Sequence, residues 1–105
     1  MKGPGRTTMT VRVRFFAAFR QTFGGKERIF ELEEGTTLGC LLERLGDSSA
    51  RRAELFAAPE AGKPPALHPH IVVMVNGENA SARGGWNGEL RAGDTVAVFP
   101  LMGGG

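Results

Sequence analysis

From Met9 the chain alternates, with Met9, Val11, Val13 and Phe15 on one parity and Arg12 and Arg14 on the other. A period of two marks a strand with one face buried and the other in water. A second run of this kind, "ERIFELEE", sets Phe30 and Leu32 against Glu31 and Glu33, and Gly24, Gly25 and Lys26 supply turn residues between the two. Together they predict a hairpin. The period then changes. In "GTTLGCLLERLG", Leu38, Leu41, Leu42 and Leu45 recur at helical spacing, behind Thr37 as N-cap and ahead of Gly46 as stop, which predicts a short amphipathic helix. Between Asp47 and Pro69, "ARRAELFAA" predicts a turn or two of helix and "PEAGKPPALHPH" a proline-rich loop, expected to be variable and mobile. A third strand follows in "HIVVMVNGE", with Ile71, Val73 and Val75 on one face and a turn at Asn76-Gly77. After a polar, glycine-rich stretch around Trp86, "AGDTVAVFP" predicts a turn at Gly93-Asp94 and a fourth strand with Val96 and Val98 inward. Pro100 closes that strand because it has no N–H to continue a ladder.

The order strand, strand, helix, loop, strand, strand predicts an α+β roll, a mixed sheet with one main helix laying its leucine face on one side. The first and last strands are expected to be parallel neighbours in the middle of the sheet. Residues 1–8 carry no apolar periodicity and are read as a disordered lead-in, residues 9–100 as one domain, and residues 101–105 as a flexible tail.

Composition narrows the function classes. A chain of 105 residues with 41% hydrophobic and 23% charged residues is the size and make-up of one globular domain. The formal charge of +2 is spread through acidic residues, which is poor material for a nucleic-acid surface. A single cysteine, Cys40, excludes an internal disulfide and any CxxC pair and is compatible with a reducing, cytoplasmic setting. No apolar run approaches the roughly 18 residues needed to span a bilayer, and "MKGPGRTT" lacks the apolar core of a signal peptide.

The helix entry "GTTLGCLL", the turn "VNGE", the run "LRAGDTVAVFP" and the glycine ending, in that order from Val11 to Gly105, resemble the ThiS/MoaD family of sulfur carriers with the ubiquitin-like β-grasp fold. The resemblance implies that the carboxylate of the terminal glycine is adenylated by a ubiquitin-activating-type partner, which holds the ATP and Mg²⁺, and is then converted to a thiocarboxylate. It implies a sulfur donor and a sulfur acceptor as further partners, the latter a molybdopterin synthase large subunit or another acceptor enzyme. No cofactor is expected to be bound by this chain itself, and no nucleic acid or membrane is expected as a partner. The family's usual ending is Gly-Gly, whereas this chain ends Gly103-Gly104-Gly105, so trimming of Gly105 stays open. The Asp47–Pro69 segment makes the chain longer than the shortest carriers and closer to the longer MoaD-like forms. A ubiquitin-like modifier forming isopeptide bonds, a carrier for thiazole, cysteine or tRNA thiolation, and a β-grasp interaction module without tail chemistry are the alternatives.

The residue chemistry agrees with this. A carboxylate must be activated before sulfur replaces its oxygen, and an acyl-adenylate supplies the leaving group. Glycines at Gly104 and Gly105 let the backbone enter a narrow channel without side-chain clash. Pro100, Leu101, Met102 and Gly103 lead to them, and the stretch to Gly105 reaches roughly 20 Å when extended at about 3.3 Å per residue. No G-x-x-x-x-G-K-[ST] phosphate loop is present, so activation is assigned to a partner. The outward parity of the first and last strands offers Arg14, Phe16, Ala97 and Phe99, with Met74 alongside, as an apolar docking patch rimmed by arginine.

Other residues read as structural. Cys40 has no charged partner to make it a reactive thiol. His68 and His70 alone fall short of a metal site, and no metal is expected. Trp86 reads as a satellite core residue beneath its loop. Glu31, Glu33 and Glu34 read as a solvated face that discourages edge pairing.

Overall fold

The computed structural model describes residues 7–100. Along the chain come β1 (Thr8–Phe15), α1 (Phe19–Thr22), β2 (Glu27–Glu33), α2 (Leu38–Leu45), α3 (Ser49–Leu55), β3 (Ile71–Val75), β4 (Glu78–Asn79) and β5 (Thr95–Pro100). Two short 3-10 turns, Ala80–Arg83 and Gly85–Asn87, precede β5. The five strands form one mixed sheet in the order β2-β1-β5-β3-β4. β1 and β5 run parallel at its centre, as the sequence predicts, with Val13 beside Val96 and Phe15 beside Val98. β2 and β3 flank them antiparallel.

The alternation of β1 places Met9, Val11, Val13 and Phe15 on the inner face, where all four are buried. α2 lays Leu38, Leu41, Leu42 and Leu45 on that face and completes the core with Phe30, Leu32, Val96 and Val98. Its start is fixed by the Thr37 hydroxyl, which accepts from the Cys40 N–H at 3.2 Å. Gly46 does end the helix, but at φ −83° it does so without a left-handed turn; its N–H goes to the Glu43 carbonyl at 3.2 Å.

Two features differ from the sequence prediction, the path from β1 to β2 and the number of strands, while the short helix expected after Asp47 is present. The connection from β1 to β2 is longer than a tight hairpin turn, because it folds the short helix α1 back over the core. Phe19 and Phe23, four apart, are both buried there, with Phe23 stacked on Phe15 at 4.6 Å between ring centroids. The helical pattern in the Asp47–Pro69 segment is a full element, α3, capped by the Ser48 hydroxyl accepting from the Arg51 N–H at 3.2 Å. Leu55 and Phe56 bury its end, and the loop returns as a bridge between Phe56 and Leu67. The sheet also has a fifth strand. Asn76 at φ 53° and Gly77 at φ 85° make a turn with two left-handed residues, whose twist matches a hairpin and returns Glu78 and Asn79 against β3.

Candidate functional site

Pro100 is the last described residue, paired with Ile71 at the end of β5. Leu101, Met102, Gly103, Gly104 and Gly105 lie outside the described residues, and with them the expected reactive end. The site that can be built is the surface around the end of β5.

Because β1 and β5 are parallel, both finish at this point, and antiparallel β3 begins there. The register sets Arg14, Ala97 and Met74 in one row across three strands on the outer face, and Val72 beside Phe99 in the next. Phe16, just past β1, meets Phe99 edge to face at 5.6 Å. Phe16, Phe99, Ala97, Met74 and Val72 are all half-buried, while Arg14 is exposed. The structure therefore brings together Arg14, Phe16, Met74, Ala97 and Phe99 of the predicted partner-binding residues, whereas Pro100, beside Ile71, has the parity of the inward Val96 and Val98 and lies on the core side of the sheet.

It adds Arg20 and Val72. Arg20, on α1, donates from Nε to the Phe15 carbonyl at 3.0 Å, and its guanidinium carbon lies 5.6 Å from the Phe16 ring centroid. Arg14 lies 5.5 Å from the same centroid. Two cations on one half-buried ring hold its orientation and give the apolar surface a positive rim, suited to a partner with an apolar patch bordered by carboxylates. Val72 was legible from the parity of Met74. Arg20 was not, because its place depends on the unforeseen helix α1.

Trp86 packs against the core, as the sequence predicts. Trp86 is half-buried, edge to face with Phe56 at 5.9 Å and against Gly39. His68 contacts the Ala53 carbonyl through Nε2 at 2.8 Å and stacks on His70 at 5.4 Å, which ties the proline-rich loop to α3. Cys40 is exposed on the first turn of α2. Among the described residues, no three His, Cys, Asp or Glu side chains cluster as metal ligands, and no helix is long and apolar enough to cross a membrane.

Comparison with known proteins bears on the family and the fold. A family model described as the ThiS family matches residues 13–105. Small archaeal modifier protein 3 of Haloferax volcanii is 31% identical over 98 residues, covering 92% of this chain and 100% of that protein. A Haloferax volcanii protein solved in solution superimposes with a TM-score of 0.74 at 31% identity, over 100% of this chain and 92% of the other. A Pyrococcus furiosus protein with the provisional description molybdopterin converting factor, subunit 1, gives a TM-score of 0.66 at 30% identity, over 88% of this chain and 97% of the other. The fold is the ubiquitin-like β-grasp.

Proposed function

The chain belongs to the ThiS family of ubiquitin-like sulfur carriers and modifiers, and from that membership we propose that it carries sulfur as a thiocarboxylate on Gly105. The observation that supports this reading is the platform of Phe16, Phe99, Ala97 and Met74, edged by Arg14 and Arg20, at the root of a glycine-terminated segment. A half-buried apolar surface with a charged rim serves partner docking, and docking there delivers the tail to the partner's reaction centre.

In the proposed sequence a ubiquitin-activating-type partner supplies ATP and Mg²⁺. The Gly105 carboxylate oxygen attacks the α-phosphorus of ATP and pyrophosphate leaves. Sulfur at the oxidation level of sulfide, brought by a sulfur donor, then attacks the acyl carbon, and AMP leaves with the oxygen it acquired. The product is a thiocarboxylate. This chain's own residues dock, orient and present the carboxylate, so it acts as co-substrate and not as enzyme, in the ATP-containing cytoplasm. We assign the acceptor to molybdopterin or tungsten-pterin synthesis, with this chain as the small subunit beside a catalytic large subunit. The likeness to the Pyrococcus furiosus protein favours that assignment.

A second reading has its own support in the likeness to small archaeal modifier protein 3. In that reading a lysine amine attacks the acyl carbon of the adenylate, AMP leaves, the nitrogen loses a proton, and an isopeptide results. Intact mass after incubation with activating partner, ATP and sulfur donor distinguishes the two. A gain of about 16 Da, oxygen replaced by sulfur, is the carrier outcome. A series of larger adducts is the modifier outcome, and an unchanged mass with a competent partner defeats both.

A further inference from the structure

The sheet has two unlike edges. At one, β4 is only two residues long, the Ile71 N–H is taken by the His68 carbonyl at 3.1 Å, and the Val75 carbonyl accepts from Arg83 at 3.5 Å. The other edge is β2, seven residues that pair with β1 alone. The Phe15 N–H donates to the Lys26 carbonyl and the Glu34 N–H to the Thr7 carbonyl, so Lys26, Arg28, Phe30, Leu32 and Glu34 are the residues bonded to β1. Ile29 and Glu31 therefore turn their N–H and C=O groups away from the sheet. A row of such groups templates a further strand.

The side chains say what kind of strand. On the outer face Ile29, 55% exposed, is the large hydrophobic residue that stands free among the described residues, and it lies between the exposed carboxylates Glu31 and Glu27, the latter 3.4 Å from Arg12 Nε. On the inner face Arg28 and Arg44 lie over Phe30, with guanidinium carbons 4.9 and 5.6 Å from its centroid. Arg28 has a buried Nη1 with no hydrogen-bond partner, and its nearest carboxylate, Asp47, is 4.0 Å away and already bonded to Arg51 at 3.0 Å. One parity of an incoming strand thus meets carboxylates around an aliphatic residue, and the other meets guanidiniums.

A second copy of the chain fits poorly. Pairing β2 with itself antiparallel about Ile29 sets Glu27 against Glu31, about Phe30 sets Glu27 against Glu33, and about Glu31 sets that residue against itself. Like charges directly opposite destabilise a pair. We propose that the β2 edge is a docking site for an extended segment of a partner protein, with basic residues flanking an aliphatic one on the parity facing Glu27, Ile29 and Glu31, and carboxylates on the parity facing Arg28 and Arg44. β2 is separated from β5 by β1, so the segment can be held while the tail is engaged elsewhere; the site goes beyond the carrier reading and stands without it.

The test uses the full chain and two capped peptides of equal composition, TRDVDKT and TDRVKDT, which reverse the charge parity around the valine. Amide resonances of the labelled protein are followed during titration to about 2 mM peptide. The first peptide is expected to give saturable shifts centred on Ile29 and Glu31, and the second none. Glu31→Lys and Arg44→Glu, both exposed positions, are each expected to raise Kd for the first peptide about threefold or more with circular dichroism unchanged. Equal binding of the two peptides, shifts centred on Phe16 and Phe99, no saturable shift, or unaltered Kd in both variants would each overturn the proposal. So would sedimentation showing that the free protein dimerises through Ile29.

Discussion

Asn76 and Asp94, eighteen residues apart, close the sheet at the end opposite the tail: the Asn76 side-chain amide donates to the Asp94 carboxylate at 2.8 Å. The same carboxylate accepts from the Arg91 N–H at 2.8 Å, and the Asn76 side-chain oxygen accepts from the Thr95 N–H at 2.9 Å. Asp94 is buried, and its backbone carbonyl takes the Arg12 N–H at 3.0 Å. Two turns read separately along the chain are one hydrogen-bonded unit that sets the register of β1, β3 and β5.

Removing the Asp94 carboxylate takes the acceptor from two part-buried hydrogen bonds, those of the Asn76 side-chain amide and the Arg91 N–H. Asp94→Ala is expected to cost about 1–3 kcal/mol. Its urea midpoint should fall clearly, while the activating partner still adenylates the protein under native conditions. An unchanged midpoint would show that the carboxylate is replaceable by water.

The contact between Gly39 and Trp86 yields a second expectation. A Cβ on Gly39 would collide with the Trp86 indole nitrogen, and the neighbouring ring carbons lie 2.5 and 2.6 Å from that position. Gly39→Ala should therefore destabilise by about 1–3 kcal/mol through overpacking. In Trp86→Ala the same change should cost much less, because the clashing ring is gone. Additive costs in the double variant would place the strain elsewhere.

The periodicity of β1, β2, α2, β3 and β5 was legible because each buries one face, and burial imposes a period on the letters. Leu42 and Glu31 make this measurable: Leu42→Ala should cost about 2–5 kcal/mol, and Glu31→Ala should stay within about 0.5 kcal/mol of the parent, since Leu42 is fully buried and Glu31 exposed. What escaped the reading is tertiary. α1 is too short to show a helical stripe; only the Phe19 and Phe23 spacing hints at it, and its stability comes from stacking on Phe15. The two residues of β4 follow from the twist of the Asn76-Gly77 turn and carry no pattern of their own. The clustering of Phe16, Phe99, Ala97 and Met74 on one face was legible as the outward parity of the central strands, but Arg20 reached it only through α1.

Arg20 and Phe99 should separate recognition from chemistry. Phe99→Ala and Arg20→Ala are each expected to raise Kd for the activating partner, about tenfold for the phenylalanine, which fills the centre of the platform. Arg20→Lys should restore little, because Nε, which holds the Phe15 carbonyl at 3.0 Å, is lost. Calorimetric titration measures both. Parent-like affinity in Phe99→Ala would move the interface off this face.

The tail is the decisive part. Deleting Gly104 and Gly105 should leave the urea midpoint unchanged, because two terminal glycines have no side chains to bury in the core, and should abolish ATP–pyrophosphate exchange with the activating partner, because the attacking carboxylate is withdrawn. Deleting Gly105 alone moves that carboxylate back by one residue, about 3.3 Å. A chain that works from Gly105 then loses most of its exchange, since a reacting pair held out of contact reacts slowly. One that is naturally trimmed to Gly104 retains it. Phe99→Ala should behave differently in the same assay, with exchange falling at low partner concentration and recovering as the partner is raised. Full exchange by the double deletion would remove the tail from the chemistry and end the carrier reading.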